Sequence, residues 1–245
     1  MSLRTALLAA GLTLAAAAPA SAAIQSPSKF VGTITATQTT TWEEPHHTTG
    51  IDCFHRYWVE ERGSETWRVK GQPTKVLISQ VGTGPNVSMH YGNFNPHADS
   101  PFGLKAKVTR QRAWTKREGS DPGECGGIGT VLPAPDNDCG TRSWDGYVSI
   151  THENGAITPG VGPSLSLTED DGFSDCSIEL ADEVSDELFA EVPSKIPARD
   201  LLDTKQGLHI LLGKETFTER LDLEFDGVRT STTTVTWQLR LKRVK

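Results

Sequence analysis

Glu43, Glu44, His46, His47, Asp52 and His55 form the densest group of potential metal ligands in this 245-residue chain. Neutral imidazole and carboxylate suit zinc, copper or nickel, so His46, His47 and His55 are the candidate nitrogen ligands. None of them has the sequence spacing that sets two ligands on one strand or helix face, so a loop would have to gather them. Asp136 and Asp138, with Asp145 nearby, offer oxygens to calcium, as does the run Glu169, Asp170, Asp171 and Asp175. Asp136-Asn137-Asp138 opens like a calcium loop but lacks the glycine and closing glutamate that such loops carry. Calcium is the one bound group these turns invite, and no other cofactor is expected.

A second chemistry is stacking. Trp114 sits among Arg110, Arg112, Lys116 and Arg117, and Trp144 stands two residues after Arg142. Trp114, Trp144, Arg112 and Arg142 are therefore the candidate ligand-binding residues, for sugar, an anionic polymer or a protein partner. Trp67 and Trp237 share the parity of apolar neighbours and are expected in the core. Covalent catalysis has no support. There is no Gly-x-Ser-x-Gly motif, and Ser26-Pro27-Ser28-Lys29 matches a serine–lysine motif only formally, without its companions. No catalytic residue is nominated.

The elements that must position these groups are strands. At the C-terminal end, Phe217, Leu221, Leu223 and Phe225 alternate, as do Thr233, Val235, Trp237, Leu239 and Leu241. They read as a long hairpin. Keeping both apolar sets on one face demands an odd-length loop, with a three-residue Asp226-Gly227-Val228 connection pairing Phe217 with Trp237. Phe30 to Trp42 is a threonine-rich strand, and Gln38 to Trp42 echoes Thr233 to Trp237, as two related half-domains or two strands lying side by side would. Glu43 to Asp52 reads as a loop. Phe54 to Glu61 and Glu65 to Val69 read as a hairpin about Arg62-Gly63-Ser64. Thr74 to Gln80, Val87 to Tyr91, Leu104 to Trp114, Gly146 to Thr151, Ser164 to Thr168 and Leu208 to Leu212 are further strands, and residues 117 to 143 are the longest irregular stretch, with a short strand at Ile128 to Leu132. Residues 169 to 191 hold ten acidic residues and no lysine or arginine, with Leu180, Val184 and Leu188 at helical spacing. Pro193 ends that pattern, and one more helical turn is expected at Ala198 to Asp203. The whole predicts an all-β fold, an antiparallel β-sandwich with a short acidic helical insert, the alternatives being an open barrel or two small sandwiches.

Met1 to Ala22 has the layout of a secretory signal peptide: Arg4, an apolar stretch, then Ala20-Ser21-Ala22 as a cleavage site. Residues 23 to 245 then form a single all-β domain. Loss of Arg4 takes the net charge from −7 to −8, which argues against nucleic-acid binding, and the mature chain has no stretch of transmembrane length. Cys53, Cys125, Cys139 and Cys176 make an even set in an exported chain and imply disulfides. The Gly-, Pro- and Asp-rich stretch between them favours Cys125–Cys139, a staple for the loop near residues 117 to 143, and Cys53–Cys176 follows by elimination. These features predict a secreted, non-enzymatic extracellular or envelope-associated binding or structural module. The alternatives are a hydrolase of an extracellular polymer and a calcium-stabilised domain.

Overall fold

The computed structural model describes residues 26–82, 84–92, 94, 103–132, 136–161 and 192–245. The proposed signal peptide, Cys176, the strand expected at Ser164 to Thr168 and the acidic helical insert lie outside these residues. Within them, the elements run β1 (Ser28–Ile51), β2 (His55–Gly71), β3 (Thr74–Gln80), β4 (Val87–Tyr91), β5 (Leu104–Pro122), β6 (Thr130–Leu132), β7 (Asp136–Glu153), β8 (Ala156–Val161), β9 (Ser194–Lys195), α1 (Ala198–Leu202), β10 (Leu208–Asp222) and β11 (Val228–Arg243). Among the described residues the fold is nearly all β and antiparallel, with one short helix. Its strands form one open sheet in the order β10-β11-β1-β2-β5-β7-β8-β9, with β3 on β1, β4 on β3 and β6 on β5. The two packed sheets that a sandwich predicts are not seen among the described residues, whose strands join in this one sheet.

Two breaks expected in the sequence are absent. Glu43 to Ile51 continues β1, and β2 runs straight through Arg62-Gly63-Ser64. The reason is a ring, not a turn. The Trp42 indole lies over Gly63, where a Cβ would come within 2.2 Å of Trp42 Cζ2. Glycine is therefore required in mid-strand for close packing. The same holds at Gly213, opposite Trp237, where a Cβ would lie 2.1 Å from Trp237 Nε1. That contact sets the C-terminal hairpin. Trp237 pairs with Gly213, and Phe217 pairs with Thr233, not with Trp237. The parity is as expected and the register is four residues away from it. The connection is Leu223–Gly227, an odd length, with the positive φ at Phe225 (53°). The echo between Gln38–Trp42 and Thr233–Trp237 is two neighbouring strands, since Thr39 pairs with Thr234.

The strands are long, and only their near halves build the core. Phe30, Ile34, Val69, Val76, Ile78, Leu104, Val108, Val148, Leu239 and Leu241 are buried in one cluster with Leu201 of α1. Period-two alternation puts these side chains on one face while their neighbours stay wet. The β3–β4 hairpin comes across to β7: the Tyr91 hydroxyl donates to Ile150 O at 3.1 Å and accepts from Ile150 N at 3.2 Å. His152 is held beside it, accepting from Val87 N at Nδ1 and donating from Nε2 to Ile196 O at 2.8 Å. It is a core histidine with both nitrogens occupied.

The disulfide joins Cys53 to Cys125. This overturns both expected pairings, Cys125–Cys139 and Cys53–Cys176. The β2–β5 ladder runs out at His55 opposite Pro122. Just beyond it Cys125 N donates to Cys53 O at 2.7 Å. Strand pairing, not local loop closure, selects the partner. The stretch expected to be an irregular stapled loop is also shorter than expected, because β5 extends to Pro122, β6 pairs with it, and β7 begins at Asp136.

Candidate functional site

Residues directly opposite each other in an antiparallel ladder share a face. Reading across the sheet therefore lays out its two surfaces row by row. The outer face carries threonines on alternate residues of β1 (33, 35, 37, 39 and 41) and of β11 (230, 232, 234 and 236). One row reads Thr216, Thr234, Thr39, Thr66 across β10, β11, β1 and β2. The next reads Thr218, Thr232, Thr41, Ser64. The hydroxyls order one another: Thr216–Thr234 at 3.0 Å, Thr218–Thr232 at 3.1 Å, Thr39–Thr66 at 3.4 Å and Thr109–Ser143 at 2.9 Å. Each hydroxyl has one donor and two acceptor sites, so a paired one still has capacity for a ligand. β-Branched threonine also suits a strand whose other face is packed.

Two grooves lie on this face. A groove of about 810 Å³ lies over Thr35, Thr37, Arg68, Lys70 and Thr236. A second, of about 730 Å³, lies over Thr41, Glu43, Arg62, Ser64 and Thr232. The row of Thr39 and Thr234 stands between them, so the two lie end to end along β1. From Thr35 to Glu43 at ~3.4 Å per residue the furrow runs for ~27 Å.

The opposite face of the far rows is polar and tightly engaged. Glu65 is its hub. It accepts from Arg110 Nη2 at 2.6 Å and from the Trp67 indole N–H, and it lies 3.9 Å from Arg112 Nε. The Arg110 guanidinium lies over Trp67 and that of Arg112 over Trp42, at 5.2 and 5.4 Å from the rings. Trp42 Nε1 donates to Glu61 at 2.8 Å, and Arg229 pairs with Glu44 at 2.7 Å. Burial lowers the Arg112 pKa, with the Glu65 carboxylate opposing and Arg110 adding to the shift. This network ties β1, β2, β5 and β11 together beneath the furrow.

The sequence-nominated residues separate. Arg112 and Trp114 alternate onto the network face, opposite Glu65 and Gly63, with Trp114 also bordering the second groove and its Nε1 buried without a hydrogen-bond partner. The β5 backbone pairs Val108 with Trp144 and Arg110 with Arg142, whose side chains lie outside the described residues. His47 stands 3.7 Å from Glu44, which is already paired with Arg229. His46 stacks on Trp58, with centroids 4.6 Å apart. Asp52 caps its own turn, accepting from Phe54 N at 2.8 Å, His55 N at 2.7 Å and Tyr57 Oη at 3.0 Å. Those backbone bonds, the one from His55 first, lower the Asp52 pKa. No three His, Cys, Asp or Glu side chains converge among the described residues. Asp136 and Asp138 lie on β7, paired with Thr115 and Ala113, and not in a turn that could wrap an ion. The furrow itself was missed. Its signal was the threonine at every second position of β1 and β11, legible as a strand but not as one surface until the two strands are known to be neighbours.

The fold and furrow define a class: an open, all-β protein with a hydroxyl-floored trough on a single sheet. Beyond that class, no known family, curated protein or solved structure matches the chain.

Proposed function

We propose that this protein is an exported, non-enzymatic binding module that lays an extended ligand chain along the outer furrow. The observation that supports this most is the run of threonine pairs along β1 and β11, Thr37–Thr236, Thr39–Thr234 and Thr41–Thr232, the first and last on the floors of two end-to-end grooves and the middle one between them. Repeated, evenly spaced hydroxyls suit a ligand that repeats too, which favours a polymer over a small molecule. The near half, where β3, β4 and α1 cover the core, acts in this reading as the sandwich-like anchor, and the far half as the platform. No specific contact favours a hydrolase or a calcium-stabilised domain over this reading.

The test is retention of the mature, oxidised protein on purified cell wall and a panel of insoluble polysaccharides. A variant combining Thr39→Val, Thr66→Val and Thr234→Val keeps the side-chain shape and removes three of the four hydroxyls of one row. Retention that drops severalfold supports the furrow. Retention that is unchanged in this variant places binding elsewhere and refutes the proposed surface.

A further inference from the structure

The near end of the furrow carries charge of one sign. Arg68 and Lys70 of β2, Lys105 and Lys107 of β5, Lys214 of β10 and Arg240 of β11 all fall on the outer face, in the rows of Thr33, Thr35 and Thr37. All six are exposed. Against them the same rows hold one carboxylate, Asp145, opposite Lys107. None of the six is in an ion pair among the described residues, although elsewhere the chain pairs its arginines closely, as in Arg229–Glu44 and Arg110–Glu65. This is the reverse of the chain's overall balance of 24 basic and 31 acidic residues. Four of the six, Arg68, Lys70, Lys107 and Lys214, line the larger groove itself.

We infer that the ligand is an acidic glycan, its negative groups held by this cationic end and its hydroxyls by the threonine floor. The inference rests on the proposed furrow and names its ligand class. Unpaired like charges on one patch repel each other, and an anion placed among them removes that repulsion. Lysine dominates the patch, and lysine binds as a mobile point charge rather than a planar fork. Such a site tolerates anions spaced along a flexible chain and does not select one geometry. Nucleic acid fits less well, because Trp42, Trp67, Trp114 and Trp237 all lie on the opposite face, which leaves Tyr147, opposite Lys105, as the one ring among the described residues of the cationic rows on which a base could stack.

The test is solution binding of the mature, oxidised protein to polygalacturonate, to its fully methyl-esterified form, to dextran sulfate, to single-stranded DNA and to vesicles of anionic phospholipid. We expect binding to polygalacturonate, dextran sulfate or both, and the pattern between these two says whether carboxylate or sulfate is preferred. Raising salt from about 50 to 200 mM should weaken it roughly tenfold, through release of counterions from several contacts. Lys70→Gln, Lys107→Gln and Arg68→Gln should each weaken it roughly threefold, as exposed ion contacts do, with unchanged melting temperature. Equal binding to polygalacturonate and its ester would overturn the acidic-glycan inference and leave the furrow reading standing. Binding to none of the glycans would overturn the acidic-glycan inference and leave the furrow reading to be decided by the retention test. Tighter binding to DNA or to vesicles than to any glycan would overturn the inference in favour of that partner.

Discussion

Glu65 is the residue on which the far half of the sheet should depend most. Its carboxylate is shared by the Arg110 guanidinium and the Trp67 indole, with Arg112 close by. The Arg110 side chain is only 7% exposed, and its Nε already lacks a partner. Glu65→Ala therefore strands a buried charge. Breaking one side of a buried pair typically costs ~3–5 kcal/mol. Because Glu65 keeps 12% exposure and some solvent screening, the lower end, ~3 kcal/mol, is expected. For a chain of this size that is a fall of about 6–12 °C in melting temperature. The double variant Glu65→Ala with Arg110→Met removes the stranded charge and should recover most of the loss. Arg220→Ala, at an exposed pair 70% and 81% accessible, is the control and should change stability by less than about 0.5 kcal/mol. Urea unfolding followed by tryptophan fluorescence reads all three. If Glu65→Ala unfolds within about 1 kcal/mol of the parent, or the double variant is no more stable than the single, the network is not what holds this half together.

Four further outcomes can be checked directly. Gly63→Ala should displace the Trp42 ring and its bond to Glu61, costing about 1–3 kcal/mol, with a change in near-UV dichroism; an unchanged spectrum would mean that the ring is not held there. Cys53→Ser opens a loop between residues 72 apart in sequence and should cost up to about 4 kcal/mol, and peptide mapping of the oxidised protein should recover Cys53 joined to Cys125. Burial holds the Tyr91 phenol well above its usual range, against the bond its oxygen accepts from Ile150 N, so in a spectrophotometric titration it should remain un-ionised when free tyrosine has ionised. A raised acid pKa contributes stability below the unfolded value of about 10, which is lost as pH rises toward the native value. Burial, then the charge of Arg243, holds His209 below its usual pKa, with Asp200 and Asp203 opposing. The unfolded chain therefore binds that proton first, and stability should fall as pH drops from about 7 to 5, a slope that His209→Leu should flatten.

The alternation of Leu104, Ala106 and Val108 with wet neighbours, and the apolar run Val76-Leu77-Ile78, made β5 and β3 legible, because burial on one or both faces writes itself into a period of two. α1 was legible in outline, bounded by Pro197. Gly63 misled because a glycine beside arginine and serine has the composition of a turn. Its actual role depends on Trp42, 21 positions earlier, which no local window contains. The cysteines misled in the same way, since their pairing follows from the end of the β2–β5 ladder. Arg112 and Trp114 were recognised as unusual together, but which face they share with Glu65 and Trp42 is a matter of strand order. The candidate metal ligands dispersed because β1 continues through most of them, and an extended strand sends successive side chains to opposite faces.

The long register between β1 and β11 has a mechanical consequence. Their pairing is unbroken from Phe30 opposite Arg243 to Glu43 opposite Thr230. Ladder hydrogen bonds lie across the strands. A polymer lying in the furrow and drawn taut would pull along the strands, so its load would fall on all of those bonds together, in shear, and not one after another as in unzipping. Tension along that axis is the direction in which this sheet is hardest to tear, and a pull across it, lifting β10 away from β11, is the direction in which it should yield.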